Sequence, residues 1–298
     1  MRGALLNVTL VIGLKFKAMV GIWMNISLHR KELKENMHII DEIEEFEIAY
    51  VASFAHKTEK PWGFLFWNKD NPGYYDANHA HIRCVPNNPR LVVEEVVMFY
   101  GEKHITPRFY IYNIEIQNEL IVELKATGFK FEEFDDSFQS WNNVLGEKDI
   151  DNKIIIEQVN KNNFIDALAI KCSIKEFGGK EVREQAFREE FNHPSYAHFM
   201  LIYNNTPCSI ASIFIHGKQA RLENVATLKQ FRGKGLIGKL IYYIQELITE
   251  KGISKLWVFP ISEEVEKVYQ KYGFETVSRF KTGHAYLDGK GIREIRER

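Results

Sequence analysis

Leu222-Glu223-Asn224-Val225-Ala226-Thr227-Leu228-Lys229-Gln230-Phe231-Arg232-Gly233-Lys234-Gly235-Leu236-Ile237-Gly238-Lys239-Leu240 reads as a strand, a basic glycine-rich turn and the opening of an amphipathic helix. In the turn, Gln230 to Gly235, glycines stand where a bulky side chain would hold a ligand off the backbone. They do so where a helix begins with unpaired N–H groups and the positive end of its dipole. Such a turn is suited to an anion, a pyrophosphate above all.

Spacing separates the anion loops from one another. Gly233, Gly235 and Gly238 satisfy Gly-x-Gly-x-x-Gly formally, but no acidic residue ends a second strand about 20 residues on, as a dinucleotide site requires. Lys255 to Pro260 instead reads as a strand closing in proline. A P-loop needs Gly-x-x-x-x-Gly-Lys-Ser/Thr, which the neighbouring residues do not supply. The segment resembles the Gln/Arg-x-x-Gly-x-Gly/Ala acyl-CoA loop of the GCN5-related N-acetyltransferases, the GNAT superfamily. Downstream, Tyr269-Gln270-Lys271-Tyr272-Gly273-Phe274 resembles that family's Tyr-x-x-x-Gly-Phe ending. Both matches fall in the family's order between about Lys153 and Leu287. A purely structural glycine turn is the alternative.

The chain has 298 residues, 45% hydrophobic and 27% charged, enough for about two soluble globular domains. Lys plus Arg number 39 and Asp plus Glu 40, so no whole-chain field favours nucleic acid or an anionic membrane, and neither is expected as a partner. Cys84, Cys172 and Cys208 are scattered, which fits a reduced, cytoplasmic protein. Ala4 to Met24 is apolar, but Lys15 and Lys17 interrupt it. It reads as strand material or as the result of an early start codon, rather than as a span or a cleavable signal.

The polar stretch Trp141 to Lys153 divides an N-terminal α/β half, residues 1–148, from a second half, residues 153–298. In the second, Ile154 to Ile156 begins a strand, and Phe164 to Ile170 forms a helix capped by Asn162 or Asn163. A further helix covers Glu181 to Phe191. Strands Ala197 to Tyr203 and Ser209 to Ile215 follow, joined by the turn Asn204-Asn205-Thr206-Pro207, and then a strand from Ala220 to Ala226. Leu236, Ile237, Leu240, Ile241, Ile244, Leu247 and Ile248 make the core stripe of the next helix. The resemblance implies a mixed, mostly antiparallel sheet flanked by helices and splayed between the strand before the loop and the strand at Leu256, with pantetheine in the gap.

The first half echoes that order. Strands are expected at Trp62 to Trp67, Ala80 to Val85 and Phe109 to Ile114, and helices at Leu91 to Tyr100 and Asn118 to Lys125, before Gly128-Phe129. At the loop position stands Pro86-Asn87-Asn88-Pro89-Arg90, with two prolines that lack amide donors and no glycine. A degenerate GNAT-like repeat, giving two such domains in tandem, and an unrelated α/β domain are both open readings.

Amide formation from a thioester needs an uncharged amine, a polarised carbonyl and a proton for the departing thiolate. The resemblance assigns backbone groups of Val225, Ala226 and Thr227 to the pantetheine arm and the acetyl carbonyl. It assigns the turn Gln230, Arg232, Gly233, Lys234, Gly235 and Leu236 to the pyrophosphate, the two cations adding charge. Ser262, seven residues before Tyr269, stands where many relatives place a cofactor-contacting asparagine. Tyr269 stands at the general-acid position, and Glu223 is the candidate base; packing and solvated alternatives stand beside both. In a regular strand Asn224 points away from the face that Glu223 uses, so at most one of them faces the cleft. Gly238 is read as allowing close helix packing, and Tyr272 as a core or surface residue. His79 and His81 share a strand face, yet no further ligand completes a zinc set, and no metal is expected. Tyr74-Tyr75-Asp76 reads as an ordered loop that could also line a substrate entrance.

These readings imply an acetyl-CoA-dependent N-acetyltransferase acting on a small-molecule or peptide primary amine by direct attack in a ternary complex. No cysteine stands beside the predicted thioester, with Cys208 on an earlier strand and Cys172 on a helix. The alternative is a non-catalytic CoA-binding sensor or scaffold of the same fold. The acceptor and any homo-oligomer are left open.

Overall fold

The computed structural model describes residues 38–148, 151–173 and 179–296; Ala4 to Met24 lies outside them. Residues 38–52 form helix α1, and the chain divides into two units at Phe46/Glu47.

In the first half, β1 (His56–Lys60) and β2 (Gly63–Trp67) form a hairpin, followed by β3 (His79–Ile82), whose four residues are all buried. Helix α2 (Pro89–Gly101) buries Val92, Val93, Val96 and Tyr100 at helical spacing. Strand β4 (Arg108–Ile111), helix α3 (Asn118–Ala126) and the long β5 (Lys130–Trp141) complete it. Three expectations change here. The strand expected at Ala80 to Val85 is β3, which starts at His79 and ends at Ile82, where the Arg83 and Cys84 N–H groups both turn to the Trp62 carbonyl. The strand expected to reach Ile114 stops at Ile111, because Asn113 takes a left-handed conformation (φ 54°) and Ile114–Ile116 is a 3-10 turn. Trp141, expected in the polar divider, is the last residue of β5 and packs in a core cluster with Phe274 and Tyr269.

In the second half, β6 (Ile154–Gln158) leads to α4 (Phe164–Cys172) and α5 (Lys180–Asn192). Asn163 occupies the cap position of α4 without bonding the helix; its Oδ1 accepts from the Asn160 N–H instead. Strands β7 (Tyr196–Tyr203), β8 (Thr206–His216) and β9 (Gln219–Thr227) form a meander. The β7–β8 turn is Asn204-Asn205 alone, both with positive φ (49° and 60°), so Thr206 and Pro207 already belong to β8. This is the two-residue geometry that matches the natural twist of a hairpin. Then come α6 (Leu236–Glu250), β10 (Lys255–Val258), α7 (Glu263–Gln270), β11 (Phe274–Tyr286) and α8 (Ile292–Arg296).

All these strands join one sheet of eleven among the described residues, in the order β1-β2-β3-β4-β11-β5-β10-β9-β8-β7-β6. Neighbours are antiparallel except β3 with β4 and β9 with β10. The halves exchange their last strands: β5 of the first lies between β10 and β11 of the second, and β11 lies between β4 and β5 of the first. About this central β5/β11 pair the two sides run in the same sense, each with a parallel pair linked by a helix, α2 or α6. The exchange reaches the cores, where Trp141 of β5 packs with the second half and Ala285 of β11 with the first.

Candidate active site

The parallel contact of β9 with β10 covers only Gln219 to Arg221 against Lys255 to Trp257. Strand β9 runs on to Thr227 with β8 as its one strand partner, so from Leu222 onward its other edge faces an opening. The opening belongs to a cavity of about 370 Å³ whose walls include Glu223, Asn224, Val225, Val258 and Tyr269. Within β9 the register against β8 slips between Ile210 and Ser212, and Asn224 adopts a left-handed φ of 50°. This bulge overturns the expectation that only one of Glu223 and Asn224 faces the cleft. The extra residue breaks the two-residue alternation, and both line the cavity with Val225.

Beyond the bulge, Ala226 is buried in the cluster that α4 and α5 form on the sheet, and the Thr227 hydroxyl lies 2.7 Å from that of Ser209. What Ala226 and Thr227 present to the opening is therefore strand backbone.

In the turn, Gly233 (φ 78°) and Gly235 (φ 72°) hold conformations that side-chain-bearing residues adopt at a cost. A Cβ at either would meet nothing within 4 Å, so the space over the loop is open. The turn's own backbone bonds are Phe231 to Leu228, Arg232 to Lys229 and Gly238 to Gly235; among the described residues, the N–H groups of Gly233 to Ile237 have no backbone acceptor. Gly235 caps α6 without a side-chain bond. Gln230, Arg232 and Lys234 are exposed. The Arg232 Nε donates to the Thr227 carbonyl at 3.0 Å, tying the turn to the strand end, and the Lys234 ammonium lies over the rings of Tyr203 and Phe231. Leu236 points into the core, so only its N–H can serve a ligand. Gly238 is a packing glycine: a Cβ there would stand 2.4 Å from the Tyr272 hydroxyl. Ser262, expected to touch the cofactor, is the cap of α7, its Oγ accepting from the Val265 N–H.

Glu223 is held by the Arg221 Nε on one oxygen and faces the Tyr50 hydroxyl at 3.5 Å on the other. Arg221 also pairs with Glu47, and its guanidinium lies between the rings of Tyr50 and Phe259, 3.8 and 4.6 Å from their centres. Burial, then the carboxylates of Glu190 and Asp76, push the Glu223 carboxyl up to about 8, against the opposing pull of Lys171 and Arg183. The direct Arg221 contact favours the ionised form as well. Tyr269 is buried, edge-on to Phe274, and its hydroxyl has no hydrogen-bond partner among the described residues. Burial and then the charge of Glu223 raise its pKa, which keeps the phenol protonated at neutral pH.

A buried charge network braces the bulge from behind. Glu190 of α5 binds Lys171 of α4 at 2.8 Å and also Arg183, whose Nη1 reaches the Asn224 Oδ1 at 3.4 Å. Burial works against ionising Glu190, but Arg183 and Lys171 hold its carboxyl down to about 2. Burial draws the Lys171 ammonium down to about 8 despite Glu190.

The cavity extends to residues that motif reading could not rank. Tyr74, Tyr75 and Asp76 do line it, as do His79, His81, Tyr110 and Asp136. Arg183 and Arg221 also reach it, and neither sits in a recognisable motif. Among the described residues no group of three His, Cys, Asp or Glu side chains is arranged to hold a metal ion, and no helix is long and apolar enough to cross a membrane.

The family model described as Increased DNA methylation 1, C-terminal domain, matches residues 153–287. A Bacillus subtilis (strain 168) protein named "Putative acetyltransferase BSU40680" is 28% identical over 94 residues, which is 30% of this chain and 62% of that relative. Among solved structures, a GCN5-related N-acetyltransferase from Kribbella flavida superposes with a TM-score of 0.62 at 15% identity, covering 85% of this chain and 97% of that one. A conserved protein of unknown function from Staphylococcus epidermidis ATCC 12228 gives 0.63 at 16% identity, covering 79% and 95%. Both alignments extend over the two halves.

Proposed function

We propose that this chain, whose fold is that of the GNAT superfamily, is an acetyl-CoA-dependent N-acetyltransferase acting on a primary amine. One observation carries the reading: an uncapped helix start with open space above it continues directly from a strand edge that opens onto a cavity holding Glu223 and Tyr269. The N–H groups of Gly233 to Leu236, with Arg232 and Lys234, suit the pyrophosphate of CoA. The free edge of β9 suits the amides of its pantetheine arm. Glu223 takes one proton from the ammonium, the neutral amine nitrogen attacks the thioester carbon, and as the C–S bond breaks the Tyr269 hydroxyl gives its proton to the sulfur and regains one from the nitrogen, leaving a neutral amide and a free thiol. A base whose pKa lies near 8 and an acid that stays protonated are matched to opposite ends of this transfer.

The test is calorimetric titration with acetyl-CoA, followed by release of free thiol in the presence of amines. Saturable binding with thiol release supports the enzyme. Binding without release for any amine supports a second reading, a CoA-binding scaffold. The observation favouring that reading is the contact of Arg221 with Glu223, which occupies one oxygen of the candidate base.

A further inference from the structure

The cavity has a second polar end, distant in sequence from the glycine turn, in which one histidine is buried without a hydrogen-bond partner. His79 on β3 is 1% exposed and lines the cavity, yet neither of its ring nitrogens has a hydrogen-bond partner. Buried polar groups are almost always satisfied, so two orphaned atoms on one side chain call for a specific explanation. The ring is firmly held, stacked on Tyr110 with centres 4.1 Å apart and tilted against Phe66 at 5.3 Å. His284, on the same wall, shows what a committed histidine looks like there: its Nδ1 meets the Glu132 carboxylate at 2.9 Å and its Nε2 meets Arg108 at 3.1 Å.

Burial, then the neighbouring His81, lowers the His79 pKa well below the usual histidine value, against the opposing pull of the Asp76 and Tyr75 backbone, which lies near the ring without completing a hydrogen bond of good geometry. A neutral imidazole offers one N–H donor and one lone-pair acceptor. Asp76, which accepts from Tyr110 at 3.0 Å, and Asp136, which accepts from Thr282 at 2.5 Å, line the same cavity, while the arginines that reach it are already paired, Arg183 with Glu190 and Arg221 with Glu47 and Glu223, so the balance favours a neutral group over an anion. Tyr74, Tyr75 and Tyr110 supply aromatic surface around it.

Building on the transferase reading above, we infer that this end is the acceptor-specificity pocket. His79 hydrogen-bonds a neutral donor–acceptor group, a hydroxyl or a carboxamide, that the acceptor amine carries away from its reacting nitrogen. The volume, about 370 Å³ for the whole cavity, suits a small molecule. A site built around a hydrogen bond rejects analogues that lack the bonding group more strongly than an apolar site rejects an extra one. His79 is thus a residue for selecting the acceptor, and Glu223 and Tyr269 handle protons.

The test uses the full chain and four amines of matched length: n-butylamine, 4-amino-1-butanol, 4-aminobutanamide and 4-aminobutanoate. Their affinities are measured by calorimetry in the presence of CoA, which needs no turnover. The wild type is expected to bind the alcohol or the amide at least about tenfold more tightly than butylamine, with the carboxylate weakest. Which of the two leads identifies the group. His79→Phe should collapse that preference, and His79→Gln, which restores a neutral donor and acceptor, should recover part of it. Because the substitution to Phe removes two unsatisfied atoms, the unliganded variant should melt no lower than the wild type, which separates loss of selection from loss of fold. A preference that survives in His79→Phe, or a wild type that binds none of the four, overturns the inference. CoA bound by that same wild type would leave the transferase reading standing, whereas no CoA binding would remove both.

Discussion

Helices α2 and α6 occupy equivalent places on the two sides of the sheet, each bridging a parallel strand pair, yet their first turns are opposite in chemistry. At α2, Asn88 caps the helix by accepting from the Leu91 N–H, and Pro89 at the first position has no N–H to offer. At α6, two left-handed glycines lead in, no side chain caps the helix and the surroundings are open. The same topology therefore makes a capped helix start on one side and an uncapped, open one on the other. The difference lies in a handful of residues: a cap satisfies the donors internally, whereas glycines leave them for a ligand.

The strongest challenge to this contrast is Arg232→Ala combined with Gly233→Asp, which removes a cation and places a carboxylate at the donors. Acetyl-CoA affinity should fall by about 100-fold or more, roughly 2.7 kcal/mol, in a calorimetric titration. Equal affinity in the variant would take the turn out of cofactor binding.

Next in size is Glu223→Gln, expected to lower kcat/KM by about 10²-fold or more. The wild-type profile should rise with pH through about 8, since the base acts ionised and its carboxyl is held near that value. Because the folded pKa is raised, the stability contributed by neutral Glu223 is present at low pH and lost as pH rises through about 8. Glu223→Gln should remove this loss from the melting curves. A flat rate profile in the wild type would assign the proton to another group.

Tyr269→Phe should cut kcat by roughly 10-fold to 100-fold with acetyl-CoA affinity retained, measured as thiol release under saturation. Unchanged turnover would leave Tyr269 as a packing residue against Phe274. On the closed side, Asn88→Ala should cost about 1 kcal/mol in chemical denaturation and leave acetyl-CoA affinity as it was. If that variant altered cofactor binding, the two helix starts would not be separate in function. The smallest effect is expected for Cys208→Ala. Its thiol is buried and directed to the Leu201 carbonyl, so turnover should stay within about twofold, whereas its loss would point to an acyl-enzyme.

Local chemistry was legible in the residues themselves. The apolar stripe of α6 follows from spacings of three and four, the open turn from Gly233 and Gly235, and the blocked one from Pro86 and Pro89. Each of these depends on neighbours within a turn of chain. Strand β5 was missed for a local reason too: Phe134, Asp136 and Phe138 alternate along a face that lines the cavity rather than a core, so its polar and charged residues hide the apolar pattern.

By itself, the sequence determined the open glycine turn, the helix that follows it and the Tyr-x-x-x-Gly-Phe run, because glycine conformation, capping and helical periodicity act over a few residues. Only the tertiary structure decided the rest. The exchange of β5 and β11 rests on pairings more than a hundred residues apart, and alternation along a strand does not specify its partner. The bulge at Asn224 arises where β9 must stay in step with β8 while leaving β10, and it turns two expected faces into one. The pairing of Arg221 with Glu47 and the burial of His79 without a hydrogen-bond partner are likewise decided by which distant surfaces the sheet brings together, since charge and polarity have consequences only once their surroundings are set.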